Sequence, residues 1–451
     1  MLGRARAVGR LPYLCLPMPD DSIIITPEQI PDLALAWKQA YDHGRSERAP
    51  SLVERLRNRL RHRYFRRLAR TFVAGTRTGP DGRIDGATIR RILLVRYDAL
   101  GDYICSTGLI TWLRAAVPDA EIDMITSPRN DSVARIDPNL TETFAVDYQF
   151  RQVRASTLEP LRRAREKDYD VVLGLAMTRM SKLASLSAYV APLAEKVALL
   201  HRERAHIYGE VFTWQVERIG WVDHWANSFT RTASETIAPL GPTPPLPIAP
   251  YIVLGEEAWS ATEQFMRSEG LGFIGFGERV LRGKGWSGPA PEPFDGTRYS
   301  VLNISAFGVE RQWAPERAAE VARSIVERRP EEILYITGVP AEMAQVDAAV
   351  TAVGDARCRR LSLPLQQFFC VLASAALVVS PDTATVHIAA AHGRPVVGLY
   401  GEKVKVAEWH PIGTEFVLVL SHDERTINVI PTARVLEAID LLERRLARSR
   451  P

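Results

Sequence analysis

The sequence is poor in the features that would place a protein outside the cell or across a membrane. Its four cysteines, Cys15, Cys105, Cys358 and Cys370, lie far apart in 451 residues. No C-x-x-C pair and no cysteine–histidine spacing suited to zinc occurs, so reduced thiols and a cytoplasmic protein are expected. No uninterrupted apolar run reaches the roughly 18 residues of a spanning helix. The short apolar patch from Leu11 to Met18 is broken by prolines at 12, 17 and 19 and does not read as a signal peptide. No carboxylate cluster suited to a metal is evident, and no metal ligand is assigned. No G-x-G-x-x-G follows an apolar strand, which argues against a dehydrogenase. No short-period repeat is visible. The net charge of +4 is small for this length, so the overall balance does not argue for nucleic acid.

What is present is an ordinary globular composition, 46% hydrophobic and 24% charged, long enough for two or three units. Residues 1–88 read as an arginine-rich, mostly helical appendage ending in the turn-prone Gly79-Pro80-Asp81-Gly82. Within it Leu52, Leu56, Leu60, Tyr64, Leu68 and Phe72 recur every fourth residue, with Arg55, Arg57, Arg59, Arg61, Arg63, Arg66, Arg67 and Arg70 between them and Glu54 as the single acid. Residues 52–73 thus suit either an anionic membrane surface or a helix packed on the body with a solvated arginine face.

From 89 to 240 the pattern is that of a parallel α/β lobe. It opens with a strand buried on both faces, Arg91 to Arg96, then a helix from about Tyr103 to Ala116 and a strand from Glu121 to Thr126. A further strand is expected from Tyr169 to Leu175, and helices over much of 178–238. Residues 241–250 are proline-rich and read as a linker, and the glycines and prolines of 270–298 read as a mobile insertion. Alternation resumes from Tyr299, giving a second α/β lobe over 251–430 and a C-terminal helix over 431–451.

Ligands collect at the carboxyl ends of strands in open α/β sheets, which singles out three loops. In Tyr97-Asp98-Ala99-Leu100-Gly101-Asp102, Gly101 is expected to permit a tight turn that aims Asp102 at the cleft. A carboxylate there suits a general base, or equally a helix cap. In Ser380 to His387 a strand opens into a helix whose free N–H groups suit a diphosphate, with Thr383 and His387 as further contacts. The plainer reading is a cap at Asp382 and a packed histidine. In Ser305 to Trp313, Arg311 suits phosphate oxygens or is simply a surface arginine, and Trp313 suits a core.

Taken together and in order, these blocks resemble glycosyltransferase family 9, the ADP-heptose:lipopolysaccharide heptosyltransferases. The resemblance rests on I-L-L-V-R-Y-D-A-L-G-D and L-R-A-A-V-P-D-A-E-I-D within 91–125, R-Q-W-A-P-E from Arg311, T-G-V-P-A-E at 337–342, and S-P-D-T-A-T-V-H-I-A-A-A-H-G-R-P-V-V-G-L-Y-G at 380–401. It spans about 89–445 and implies an α/β fold of GT-B type, two Rossmann-like lobes facing a cleft.

The resemblance further implies an inverting transfer without a metal or other cofactor, from a nucleotide-diphosphate sugar such as ADP-heptose to a glycan or glycolipid acceptor. The family's catalytic aspartate falls on Asp102. Its diphosphate contacts fall on Arg311, where lysine is usual, and on Asp382, Thr383, Ala384 and His387. Ala384 replaces the family's glycine. Ribose and base binding falls on Glu342, with Gly338 beside it. On the acceptor side the match is faint, and Gly101, Lys182, Arg202 and His206 are the candidates. No nucleic-acid partner is implied, and the cell location is cytoplasmic, with the inner face of the cytoplasmic membrane as a possible peripheral site. Two rival readings are a non-catalytic binding or scaffold protein of the same fold, docked through the basic helix, and a nucleotide-sugar epimerase.

Overall fold

The computed structural model describes residues 22–44, 51–70, 79, 81–147, 155–176, 180–200, 202–217, 220–239 and 248–449. Two parallel sheets organise them. The first has six strands in the order Thr143–Ala145, Glu121–Thr126, Arg91–Val95, Val171–Gly174, Glu195–Leu200 and Trp214–Glu217. The second has seven, in the order Ile23–Ile25, Phe416–Leu420, Val396–Tyr400, Val378–Pro381, Arg298–Asn303, Glu332–Thr337 and Cys358–Leu361.

The central strand of the first lobe shows why a continuous apolar run suits this sheet. Ile92 and Leu94 enter one core, while Leu93 and Val95 enter another on the opposite face. The second lobe repeats the division, with Val301 on one side and Leu302 on the other. The clusters on the facing sides are one body: Ile92, Leu94 and Trp112 share a single core with Val301, Val378 and Leu418. The two lobes are therefore held together by apolar packing as well as by the chain.

Several expectations require correction. Residues 178–238 hold the expected helices but also strands that were not expected. The strands Glu195–Leu200 and Trp214–Glu217 alternate there with the helices Met180–Val190, Arg202–Tyr208 and Trp225–Ser234. Nor are residues 1–88 a simple appendage. Ile23–Ile25 pairs antiparallel with Leu418–Leu420 and closes an edge of the second sheet, and the helix Ile30–Gly44 packs on Lys403–Trp409. The helix Leu52–Ala69 instead packs on the first lobe.

The 270–298 segment is built into the fold. Its strand Val280–Arg282 pairs with Ile252–Leu254, Leu271 and Phe273 are buried, and the Lys284 N–H donates to the Ile136 carbonyl of the first lobe at 2.8 Å. Its glycines serve close approach: a Cβ on Gly296 would lie 2.5 Å from the Gly272 nitrogen. Most of the 241–250 linker, and Cys15 with the Leu11–Met18 patch, lie outside the described residues. Cys105, Cys358 and Cys370 are buried free thiols. Among the described residues no helix is long and apolar enough to cross a membrane. The C-terminal helix is Thr432–Arg448.

Candidate active site between the lobes

The first strand ends in Arg96, whose side chain has no exposed surface. Its guanidinium donates to the Leu175 carbonyl at 2.6 Å and twice to the Asp102 carbonyl, at 2.8 and 3.0 Å. It also pairs with the carboxylates of Asp98 at 3.1 Å and Asp102 at 3.5 Å, and stacks over the Phe229 ring at 4.3 Å. A planar, multiply donating cation suits this position better than lysine would.

Asp102 lies in the first turn of the helix Leu100–Ala116. One carboxylate oxygen accepts the Ala99 N–H at 3.0 Å, which satisfies an otherwise free helix-start donor. The capping role weighed for this residue is therefore present. The side chain still keeps 22% of its surface exposed.

Gly101 makes no tight turn. It sits inside the helix, outside the left-handed region that the structure's turn glycines occupy. Its importance is size: a Cβ there would meet His387 at 3.4 Å and the Ala384 Cα at 3.6 Å. The starts of two helices, Leu100–Ala116 in the first lobe and Ala384–Ala391 in the second, thus touch at a glycine and an alanine.

In the second lobe the cap is Thr383 rather than Asp382. The Thr383 hydroxyl accepts the Thr385 N–H at 3.3 Å. Asn303, buried at the end of its strand, organises the turn: its amide donates to the Ser305 carbonyl and the Ser380 hydroxyl, both at 3.1 Å, and contacts the Thr383 and Thr385 hydroxyls.

Asp382 is buried, and this burial raises its pKa while Lys405 and Arg311 oppose the rise. Its carboxylate lies 3.8 Å from Arg311 Nη1, and Arg311 also donates to the Phe307 carbonyl at 2.5 Å. Across the cleft, the Arg129 guanidinium of the first lobe lies 4.7 Å from the Phe307 ring centre. His387 is buried, and that burial pushes its pKa down to about 4. Its Nδ1 lies 3.7 Å from Cys105 Sγ. It is a neutral packing group at the lobe junction.

Glu342 ends a short turn and opens the helix Met343–Val353. One of its oxygens accepts a hydrogen bond from the Gln312 amide. The other is buried with no partner among the described residues. Gly338 is confined by Ser305 and Val346, each 3.2 Å from where a Cβ would stand.

On the acceptor side, Lys182 lies 5.8 Å from the ring of Tyr97, near the Asp102 loop. His206 is not brought to that loop. It is exposed, and its carbonyl contacts His62 of the arginine helix at 2.6 Å. Arg202 begins the same helix, but its side chain lies outside the described residues. Among the described residues, no group of three or more His, Cys, Asp or Glu side chains could hold a metal ion.

Sequence reasoning did not select Arg96, Asn303 or Gln312 as site residues. For Arg96 and Asn303 a signal exists, since each is a polar residue at the carboxyl end of an otherwise apolar buried strand.

Residues 289–435 match the family model described as glycosyltransferase family 9 (heptosyltransferase). The matched stretch lies in the second lobe. Among curated proteins, lipopolysaccharide heptosyltransferase 2 of Salmonella typhimurium and that of Escherichia coli are each 29% identical over 127 residues, 28% of this chain and 34% of theirs. The match thus spans about a third of the length of these relatives.

Solved structures extend the likeness to the whole fold. A family 9 glycosyltransferase from Veillonella parvula superposes with a TM-score of 0.61 at 19% identity, covering 78% of this chain and 97% of the other. The E. coli ADP-heptose heptosyltransferase II gives 0.58 at 18% identity, covering 79% and 99%. E. coli heptosyltransferase WaaC, solved with ADP, gives 0.56 at 17% identity, covering 78% and 99%. The architecture is accordingly GT-B: two Rossmann-like lobes facing a cleft, with an N-terminal extension laid across both.

Proposed function

We propose that this chain is a family 9 glycosyltransferase that moves a sugar, heptose or a near relative, from an ADP-linked donor to a hydroxyl of a glycan or glycolipid. The observation that carries this reading is the contact of Gly101 with Ala384 and His387. It sets a partly exposed carboxylate of one lobe beside a helix start of the other. The ADP-bound heptosyltransferase of the same fold supports the choice of donor.

In the transfer, Asp102 takes the proton of the acceptor hydroxyl as its oxygen bonds to the anomeric carbon. The bond from that carbon to the diphosphate breaks on the opposite side, with inversion, and the electron pair leaves on the phosphate oxygen. Arg311 and the positive end of the helix Ala384–Ala391 receive the new negative charge, so the reading gives no metal a part. Asp382 works through Arg311, because a carboxylate against a diphosphate would repel it. The unpaired oxygen of Glu342 accepts a ribose hydroxyl, and Gly338 keeps the approach to it open. Lys182 stands near the acceptor path.

The test is release of nucleotide diphosphate from a panel of nucleotide sugars, with ADP-heptose first, by wild type and Asp102→Asn. Asparagine keeps an oxygen for the Ala99 N–H but is not a base. A fall in turnover of about 10²–10⁴ at unchanged donor affinity is expected. Intact turnover would remove the base assignment. Nucleotide binding without turnover in the wild type would favour the scaffold reading.

A further inference from the structure

The helix Leu52–Ala69 is fastened to the first lobe along one side only. Phe65 is buried, its ring 5.1 Å from that of Tyr208, and Leu68 and Ala69 pack on the same core. His62 contacts the His206 carbonyl, and Arg66 lies 3.6 Å from Glu210. At about 100° per residue, positions 58, 62, 65 and 69 form this side.

The first four members of the fourfold apolar stripe, Leu52 to Tyr64, face the other way, with Val53 beside them. Leu52, Val53, Leu56, Leu60 and Tyr64 are 77, 73, 58, 58 and 55% exposed. Single exposed leucines are ordinary, but five large apolar side chains on neighbouring turns form a patch that calls for an occupant.

The charge around the stripe indicates which occupant. By the same helical spacing, Arg55 and Arg59 border it on one side and Arg57 and Arg61 on the other, while Arg63, Arg67 and Arg70 continue the outward face. All seven are exposed. Over residues 51–70, eight arginines stand against one glutamate. The helix is also formed in advance: Ser51 and Glu54 cap it reciprocally, at 3.2 and 3.0 Å.

We propose that this outward face docks on an anionic lipid bilayer. The leucines enter the headgroup boundary while the arginine stems lie along it and the guanidinium groups meet phosphates. An apolar band edged on both sides by positive charge matches a layer that is apolar inside and negative at its surface. A second copy of the chain would bring the same positive charge against itself, and a nucleic acid would leave the leucines in water.

The full chain is tested by co-sedimentation with vesicles of phosphatidylcholine alone and of phosphatidylcholine and phosphatidylglycerol in equal parts. Binding to the anionic vesicles only is expected. Each arginine contributes about fivefold in affinity near such a surface, so Arg57→Gln/Arg59→Gln/Arg63→Gln should weaken it about a hundredfold. Leu56→Ser/Leu60→Ser should weaken it at least about tenfold. These positions are exposed, and unchanged thermal midpoints would show that the variants fold.

Absent binding, equal binding to both vesicle types, or variants that sediment like wild type would each overturn the proposal. So would a two-chain mass in sedimentation velocity that reverts to one chain in the leucine variant. Nucleotide release from the donor by these variants, measured with a soluble acceptor, should match wild type, which separates this proposal from the sugar-transfer reading.

Discussion

Arg96, fully buried, binds both ends of Asp102: its guanidinium donates to the aspartate's carbonyl at 2.8 and 3.0 Å and lies 3.5 Å from its carboxylate. The same group reaches the Leu175 carbonyl on the neighbouring strand. A lysine retains the charge but cannot span these acceptors. Arg96→Lys is expected to cost about 2–4 kcal/mol, since it leaves buried carbonyls unpaired. Thermal unfolding checks this, and an unchanged midpoint would contradict it.

Gly101 offers a graded test of the lobe contact. Its absent Cβ would stand at ordinary contact distance from His387 and Ala384, so Gly101→Ala should be tolerated, with a gain of up to about 1 kcal/mol from helix propensity. Gly101→Leu must push the two helix starts apart and should lower donor affinity at least about tenfold, through lost phosphate contacts. Calorimetric titration with ADP would separate the two variants. Equal affinity for both would show that the close approach does not matter.

The lobe junction carries three buried histidines. Burial pushes His387 and His410 down to about 4 from an ordinary 6.5, and His224 well below that ordinary value. The His224 and His410 rings lie 4.6 Å apart. Because the folded state resists a proton that the unfolded chain accepts, their contribution is fully present above pH 6.5. It is lost as pH falls from there toward 4, at about 3 kcal/mol for a shift of this size. Asp382, raised by burial, opposes the trend. Thermal midpoints should fall across that window, and less steeply in His410→Gln. A flat profile would refute the assignment.

Glu342 has one buried oxygen without a partner among the described residues. Replacing it by glutamine exchanges a charged acceptor for a neutral amide. Glu342→Gln should weaken ADP binding by about 1.5–3 kcal/mol, tenfold or more, if that oxygen takes a ribose hydroxyl. Titration calorimetry measures it, and unchanged affinity would move the ribose elsewhere.

Much of the fold was legible because burial on both faces leaves a plain trace. Arg91–Val95, Glu121–Thr126 and Val171–Gly174 fall where the apolar runs put them. Short strands escaped for the opposite reason. Trp214–Glu217 alternates in exposure, and Ile23–Ile25 is three residues whose partner lies almost 400 positions away. The arginine helix was legible as a helix but not in its orientation. Its fourfold stripe suited a membrane surface or the body equally, and the packing face is set instead by Phe65 and the surface of another helix.

The sequence by itself determined the two α/β lobes, the order of the three strand-end loops and the family resemblance, because local hydrophobic period and motif spacing are properties of neighbouring residues. The tertiary structure decided what those loops do to one another. Only there does Gly101 meet Ala384, Arg96 close on Asp102, and Asp382 turn from a cap into a partner of Arg311. The contact of Gly101 with Ala384 joins residues hundreds of positions apart, and even the nearer pairs depend on how the backbone turns, so distance along a chain carries no record of which surfaces packing will bring together.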